Sequence, residues 1–346
     1  MERRLEPQPS RGRGPVTIRE VAAAAGVSTA TVSHVFSARR PVSPEAHDKV
    51  LAVARALGYQ PNSAARGLAT GRSFVLALHV PFDAGDIVLN PFFAAVLMTI
   101  SATASAEGYG MILLPADPDQ AAAQVDALVH ARRIDGVLLL DPVPADELIA
   151  MLEAADVPVV CIGRLEGRPD IPHVDGDVRA QIVDALEHLA SQGYEQPAFL
   201  TVAGAQSFLR DGEAAYRDWC AATDRTPVVA EADALTEEAS FRRVLDLDPE
   251  AFDSLVCAND ILAVSAIRAV EARVGGPAAV GVVGTGDSFY AQNAVPRLTS
   301  LATQPIEKGR IAAQMLLQLI DGREPAERHP IVPHQLIVRA STPPRS

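Results

Sequence analysis

Apolar residues first fall at helical spacing just after position 17. Ile18, Val21, Ala22 and Ala25 stand at i, i+3, i+4 and i+7, one stripe of a helix. Thr17-Ile18-Arg19-Glu20 reads as a capping box in front of it, and Gly26 stands where a left-handed residue ends a helix. Ser28 then caps a second helix after a turn of a few residues. Val32, Val35 and Phe36 mark the apolar side of that helix. Thr29, Ala30, Ser33, His34 and Ser37 follow at i, i+1, i+4, i+5 and i+8 on the other side, with no Lys or Glu among them. Ser43-Pro44-Glu45 opens a third helix, Val50, Ala54 and Leu57 face inward, and Gly58 closes it. Helix, tight Gly-containing turn, helix and supporting helix is the helix-turn-helix plan.

From Phe74 the pattern changes. Apolar strands of four to seven residues are expected at 74–80, 111–114, 136–140, 158–162, 198–202, 254–258 and 280–283. Helices are expected between them at 91–107, 120–132, 144–155, 177–192, 210–222, 260–273 and 305–320. Buried-type strands alternating with helices predict parallel sheets covered on both faces. Their length suggests two such subdomains, with any ligand at the carboxyl ends of the strands.

Composition divides the chain at the same place. The net charge is −13, yet residues 1–72 hold 11 Lys and Arg against 5 Asp and Glu. A basic head joined to an acidic body can track phosphate while the body is kept away from it. Residues 1–15, rich in Pro, Gly and Arg, are expected to be disordered. The start has no apolar signal-peptide core and no run reaches membrane-spanning length. Cys161, Cys220 and Cys257 lack disulfide or metal spacing. A reduced, cytoplasmic compartment is the reading, with no metal and no cofactor.

The uncharged face of the second helix suits a major groove, which is read by short or directional side chains. Thr and Ser can bond phosphates or base edges, Ala30 can meet a thymine methyl, and His34 can donate to guanine. Taken alone, the stretch is also compatible with a small solvated helix in an unrelated bundle.

The next residues narrow the choice. T-I-R-E-V-A-A-A-A-G-V-S-x-x-T-V-S-H-V, V-S-P-E and L-G-Y-Q-P-N-S-A-A-R-G-L together resemble the LacI/GalR family of bacterial transcriptional regulators. The resemblance implies base reading by Thr29, Ala30 and His34. It implies backbone contacts from Thr17, Ser28, Thr31, Ser33, Tyr59 and Asn62, with Ser37 where the family usually has Asn. It also implies a hinge helix that orders on DNA, where Leu68, beside Ala65, wedges into the central base step and kinks the duplex. The expected organisation is a disordered tail (1–15), a helix-turn-helix domain (16–60), a hinge (61–72) and a two-lobed effector-binding and dimerisation domain (73–342). The last resembles a periplasmic sugar-binding protein. Lobe 1 would hold 73–163 and 303–321, lobe 2 164–302 and 322–342, with crossovers near 163, 302 and 322.

Effector-site positions implied by the resemblance are Phe92, Phe93, Asp117, Arg164, Asn259 and Asp287, and Arg210, two residues before the family's arginine position, is a further candidate. Gly212 stands where the family has a pocket arginine, and Gly286 where it has a first aspartate. Both losses weaken the bidentate recognition that a sugar needs. A phosphorylated metabolite, a nucleoside-like compound or no small ligand stay open. Arg164 and Asp175 can equally serve in interlobe ion pairs. No G-x-S-x-G, P-loop or H-E-x-x-H is present, and the Gly-rich run at 281–286 lacks G-x-G-x-x-G. An α/β enzyme or solute-binding protein with an incidental basic head is the alternative. The expected function is a non-enzymatic, dimeric, sequence-specific regulator that binds a pseudo-palindromic operator and a small effector. The last residues show no leucine heptads, so a dimer and not a tail-zipped tetramer is expected.

Overall fold

The computed structural model describes residues 16–37, 42–59, 67, 70–81, 90–143, 147–274 and 280–345. The expected N-terminal tail and most of the hinge, with Asn62, Ala65 and Leu68, lie outside the described residues. The chain divides into two compact units, Met1–Ser73 and Phe74–Ser346.

In the first unit, α1 (Ile18–Ala25), α2 (Thr29–Ser37) and α3 (Pro44–Leu57) enclose a small core. Val21, Ala22, Ala25, Val32, Val50 and Ala54 are its buried residues. The caps are those the sequence specifies. Thr17 and Glu20 form the reciprocal capping box on α1, and Gly26 ends it at φ 66°. Ser28 Oγ accepts from the Thr31 amide at 3.0 Å, and Ser43 caps α3 through the Ala46 amide at 3.3 Å. Phe36 and Tyr59 pack ring against ring at a 5.6 Å centroid distance and close the end of the core.

The second unit contains two six-stranded sheets. The first runs β11-β5-β4-β3-β1-β2 and the second β12-β10-β9-β8-β6-β7. Their strands are β1 (Val75–His79), β2 (Gly110–Leu113), β3 (Gly136–Leu140), β4 (Val159–Ile162), β5 (His173–Gly176) and β11 (Ile331–Val332) in the first. The second holds β6 (Pro197–Val202), β7 (Val228–Ala232), β8 (Ser254–Cys257), β9 (Gly281–Thr285), β10 (Thr299–Ala302) and β12 (Gln335–Ile337). Every pairing is parallel except β10 with β12.

Helices α4 (Pro91–Ala106), α5 (Pro118–His130), α6 (Glu147–Ala154) and α12 (Pro305–Ile320) flank the first sheet. Helices α7 (Val178–Ser191), α8 (Ser207–Ala222), α9 (Glu237–Asp246) and α10 (Asp260–Val274) flank the second, beside the short α11 (Phe289–Asn293). Leu138 and Leu140 of β3 belong to one core and Val137 and Leu139 to another, so both faces of the first sheet are buried. Leu255 and Val256 of β8 divide in the same way. This is the α/β architecture expected, in two lobes.

The lobe boundaries need correction. β5 and β11 belong to the first sheet, so the chain crosses between lobes after Gly176, after Ala302 and between Val332 and Gln335. The crossovers expected near 163 and 322 are displaced; the one near 302 stands. His173-Val-Asp-Gly176 carries two polar residues and a glycine in four positions, and β11 has two residues. Neither has an alternating pattern of its own, and each becomes a strand by pairing with a neighbour already in place. β7, β10, β12, α9 and α11 were likewise absent from the sequence expectation.

Candidate functional site

Two surfaces carry chemistry, one in each unit. On α2, Thr29, Ala30 and Ser33 are exposed and His34 is partly so, while Val32 is fully buried. The side chains of Thr29, Ser33 and His34 make no hydrogen bond to another described residue, so their donors and acceptors are unspent. Ser28 and Thr31 share one hydrogen bond, their hydroxyl oxygens 2.9 Å apart at the helix start, which leaves one of the two hydroxyl protons to donate elsewhere. Thr17 donates its hydroxyl to Glu20 at 2.9 Å. Ser37 is the last residue of α2. Tyr59 is partly buried against Phe36.

In the second unit a cavity of about 510 Å³ opens between the lobes at the carboxyl ends of both sheets, where parallel α/β sheets place ligands. Phe92, Phe93, Asn259 and Asp287 line it, as expected. Asp117, Arg164 and Arg210 do not. Asp117 caps α5, its carboxylate accepting from the Gln120 amide at 2.9 Å. Arg164 forms a two-point ion pair with Asp211 across the lobes, both contacts 2.9 Å. Arg210 pairs with Glu166 in the reverse sense.

The charged groups of the cavity are mostly ones that the sequence did not mark as site residues. On the first-lobe side stand Asp141, just past β3, Asp175 of β5 and Lys308 of α12. Lys308 is only 7% exposed. Its ammonium lies 3.9 Å from Asp175 and 5.9 Å from the centre of the Phe92 ring. Asp141 sits in the left-handed region at φ 44°. Burial pushes its carboxyl up to about 7, Lys308 draws it back, and Asp175 pushes it further up. Gly163 is required beside it: a Cβ there would stand 2.7 Å from the Asp141 carboxylate. Thr303, 8% exposed, has a buried hydroxyl with no partner.

On the second-lobe side, Ser300 Oγ donates to Asp260 at 2.6 Å and accepts from the Asp287 amide at 3.0 Å. The Ser288 amide donates to the other Asp260 oxygen at 2.7 Å. Burial still raises the Asp260 carboxyl above its ordinary range, with these hydrogen bonds opposing. Arg339 pairs with Asp287 at 2.6 Å. Asn259 caps α10 through its oxygen, with the Leu262 amide at 2.8 Å, and leaves its buried Nδ2 without a partner. Gly284 has to be glycine, because a Cβ would come within 2.3 Å of Asp260.

The cavity therefore presents four carboxylates, Asp141, Asp175, Asp260 and Asp287, with Lys308 as its one lining cation among the described residues. Asn259 Nδ2 and the hydroxyl of Thr303 add unspent polar groups. Such a site offers hydrogen-bond donors and acceptors to a hydroxyl-bearing ligand. Among the described residues, no group of three or more His, Cys, Asp or Glu could hold a metal ion, and no helix is long and apolar enough to cross a membrane.

Comparison with known proteins accords with the two-part architecture. Residues 17–62 match the model of bacterial regulatory proteins of the lacI family, and residues 186–342 match the periplasmic binding protein-like domain. The transcriptional regulator CelR of Thermobifida fusca is 32% identical over 355 residues, covering 99% of this chain and all of that one. A solved CelR–cellobiose complex superposes with a TM-score of 0.70 at 27% identity, over 94% of this chain and 99% of that one. A Lac repressor dimer bound to operator and the anti-inducer ONPF shares the fold, with a TM-score of 0.78 at 24% identity over 95% of this chain and all of that one. With a capped three-helix head that matches the lacI-family model, two periplasmic-binding-protein-like lobes, and 32% identity to CelR over nearly its whole length, this chain belongs to the LacI family of DNA-binding transcriptional regulators.

Proposed function

We propose that the chain acts as a homodimeric, cytoplasmic repressor without enzymatic activity, and that a small effector in the interlobe cavity sets its operator affinity. The observation that carries the DNA reading is the uncharged face of α2, where the described side chains of Thr29, Ser33 and His34 have no hydrogen-bond partner among the described residues, on a helix capped by Ser28. Thr29, Ala30 and His34 read base edges. Thr17, Ser28, Thr31, Ser33, Ser37, Tyr59 and Asn62 hold the backbone. Two heads engage two half-sites, so the operator is pseudo-palindromic. The hinge orders on DNA, and Leu68, with Ala65 beside it, opens the central step.

CelR binds cellobiose, and the polar groups of this cavity support a hydroxyl-bearing effector here. Asn259, Asp287, Phe92 and Phe93 contribute, joined by Asp141, Asp175, Lys308 and Asp260. A volume of about 510 Å³ falls within the range of small-molecule sites. Closure of the lobes on the effector biases the dimer geometry and, through it, the hinge. Any such bias equals the difference in the effector's affinity for the two lobe arrangements.

Two variants test the DNA side. His34→Ala is expected to relax preference at one operator position by about 1–3 kcal/mol, the range of a good base contact. Affinities for a set of single-base operator variants measure it, and an unchanged base profile removes His34 as a reader. Leu68→Ala is expected to lose operator bending in a circular-permutation gel assay; wild-type bending by this variant removes the wedge.

A further inference from the structure

Two ion pairs cross the cleft beside the cavity, and none of their four residues lines it. Arg164 and Glu166 stand in the first lobe, between β4 and β5. Arg210 and Asp211 stand in the second, near the start of α8. Arg164 meets Asp211 through two contacts of 2.9 Å, and Arg210 meets Glu166. Each lobe therefore offers one cation and one anion, in opposite order.

That order makes the seating selective. A slide of one lobe past the other breaks both pairs and sets like charges face to face, either the two arginines or Asp211 with Glu166. All four side chains keep some contact with water, so the pairs are weak singly and open to salt. Their shared register is what a single surface pair lacks. The cavity needs such a register. Asp141, Asp175 and Lys308 face it from one lobe and Asn259, Asp260 and Asp287 from the other, so closure alone sets the distance between the two sets.

We propose that Arg164, Glu166, Arg210 and Asp211 are positioning residues for the cavity, a two-pair latch that holds the lobes closed and in register before a ligand arrives. A protein already closed spends less of its ligand's binding energy on closing. The latch thus raises affinity for a cleft ligand that it never touches. The latch itself stands on the two lobes; its bearing on regulation rests on the reading of the cavity as the effector site.

The test is the interlobe distance in the ligand-free, full-length protein. Nitroxides are attached through Asp119→Cys on α5, which follows β2, and Arg242→Cys on α9, which follows β7. Both positions are exposed, the three native cysteines are buried, and β2 and β7 are the edge strands farthest from the crossovers. Labelled chains are diluted into unlabelled ones, so that double electron–electron resonance reads distances within one chain. One dominant distance is expected at low salt, with a longer one growing as salt rises. Arg164→Asp sets a like charge against Asp211 and is expected to raise the longer-distance population about threefold to tenfold. Adding Asp211→Arg rebuilds the pair in reverse and is expected to restore most of the short distance, which loss of packing alone would not do. An unchanged distribution in Arg164→Asp overturns the proposal, as does a double variant as open as the single one, or a broad, salt-independent distribution without either change. These distances need neither ligand nor operator. Failure of the same samples to bind any operator sinks the regulator reading and leaves the latch in place.

Discussion

Val32→Asp is expected to abolish operator binding while leaving the thermal transition of the body in place. Val32 is fully buried on the inner side of α2, in a core whose other buried members among the described residues are Val21, Ala22, Ala25, Val50 and Ala54. The residues packed around Val32 are apolar, so a carboxylate placed there is unpaired among them, and burying an unpaired charge costs several kcal/mol even after relaxation. A head of this size has only a few kcal/mol to lose. The body keeps its own cores, none of which includes a residue of the head. Mobility-shift titration and a thermal melt of the same variant check both halves. Retained operator affinity would mean that the three-helix core is not what presents the DNA-reading face.

Asp141→Asn is expected to stabilise the protein at pH 8 by about 1–3 kcal/mol and to have no effect near pH 4. In the folded state the Asp141 carboxyl sits at about 7, against an ordinary 3.8, because burial opposes its charge. A carboxyl raised in this way binds its proton more tightly folded than unfolded. Its contribution is fully present below the ordinary value and is lost as pH rises through about 7. The amide has the same shape and no charge to desolvate, so it escapes that loss. Thermal midpoints from pH 4 to pH 8.5, variant against wild type, measure the divergence. Parallel curves would show that Asp141 is ionised at no cost, with Lys308 fully compensating it.

The head was legible in the sequence because its information is local. A capping box, a left-handed glycine and an apolar stripe each occupy fewer than ten residues, and each sits in the structure where its chemistry requires. The body was legible as an alternation of strands and helices, but not in its sheet membership. β5 is too polar and β11 too short to announce itself, and both depend on neighbours far away in the chain. Helix α9 was missed although Thr236 caps it and Glu237 and Glu238 open it; its few apolar residues obscure the stripe.

In the cavity, the errors have a geometric origin. Arg210 precedes Gly212 by two residues, and two residues turn a helix by roughly 200°. The two positions therefore face opposite ways, and Arg210 meets Glu166 instead of the cavity. Asp141, Asp175 and Lys308 come from three separate elements of the first lobe. Only the folded sheet order brings them together, so no spacing along the chain could have marked them.

The most direct measurement is selection of bound DNA from a random duplex library by the full-length protein at fixed salt. A pseudo-palindrome with matching half-sites around a central C-G step is expected, since it requires two heads, base reading from α2 and a wedge between them. A featureless pool whose binding simply falls as salt rises would contradict this, because phosphate contacts alone give that result, and the uncharged face of α2 would then read nothing.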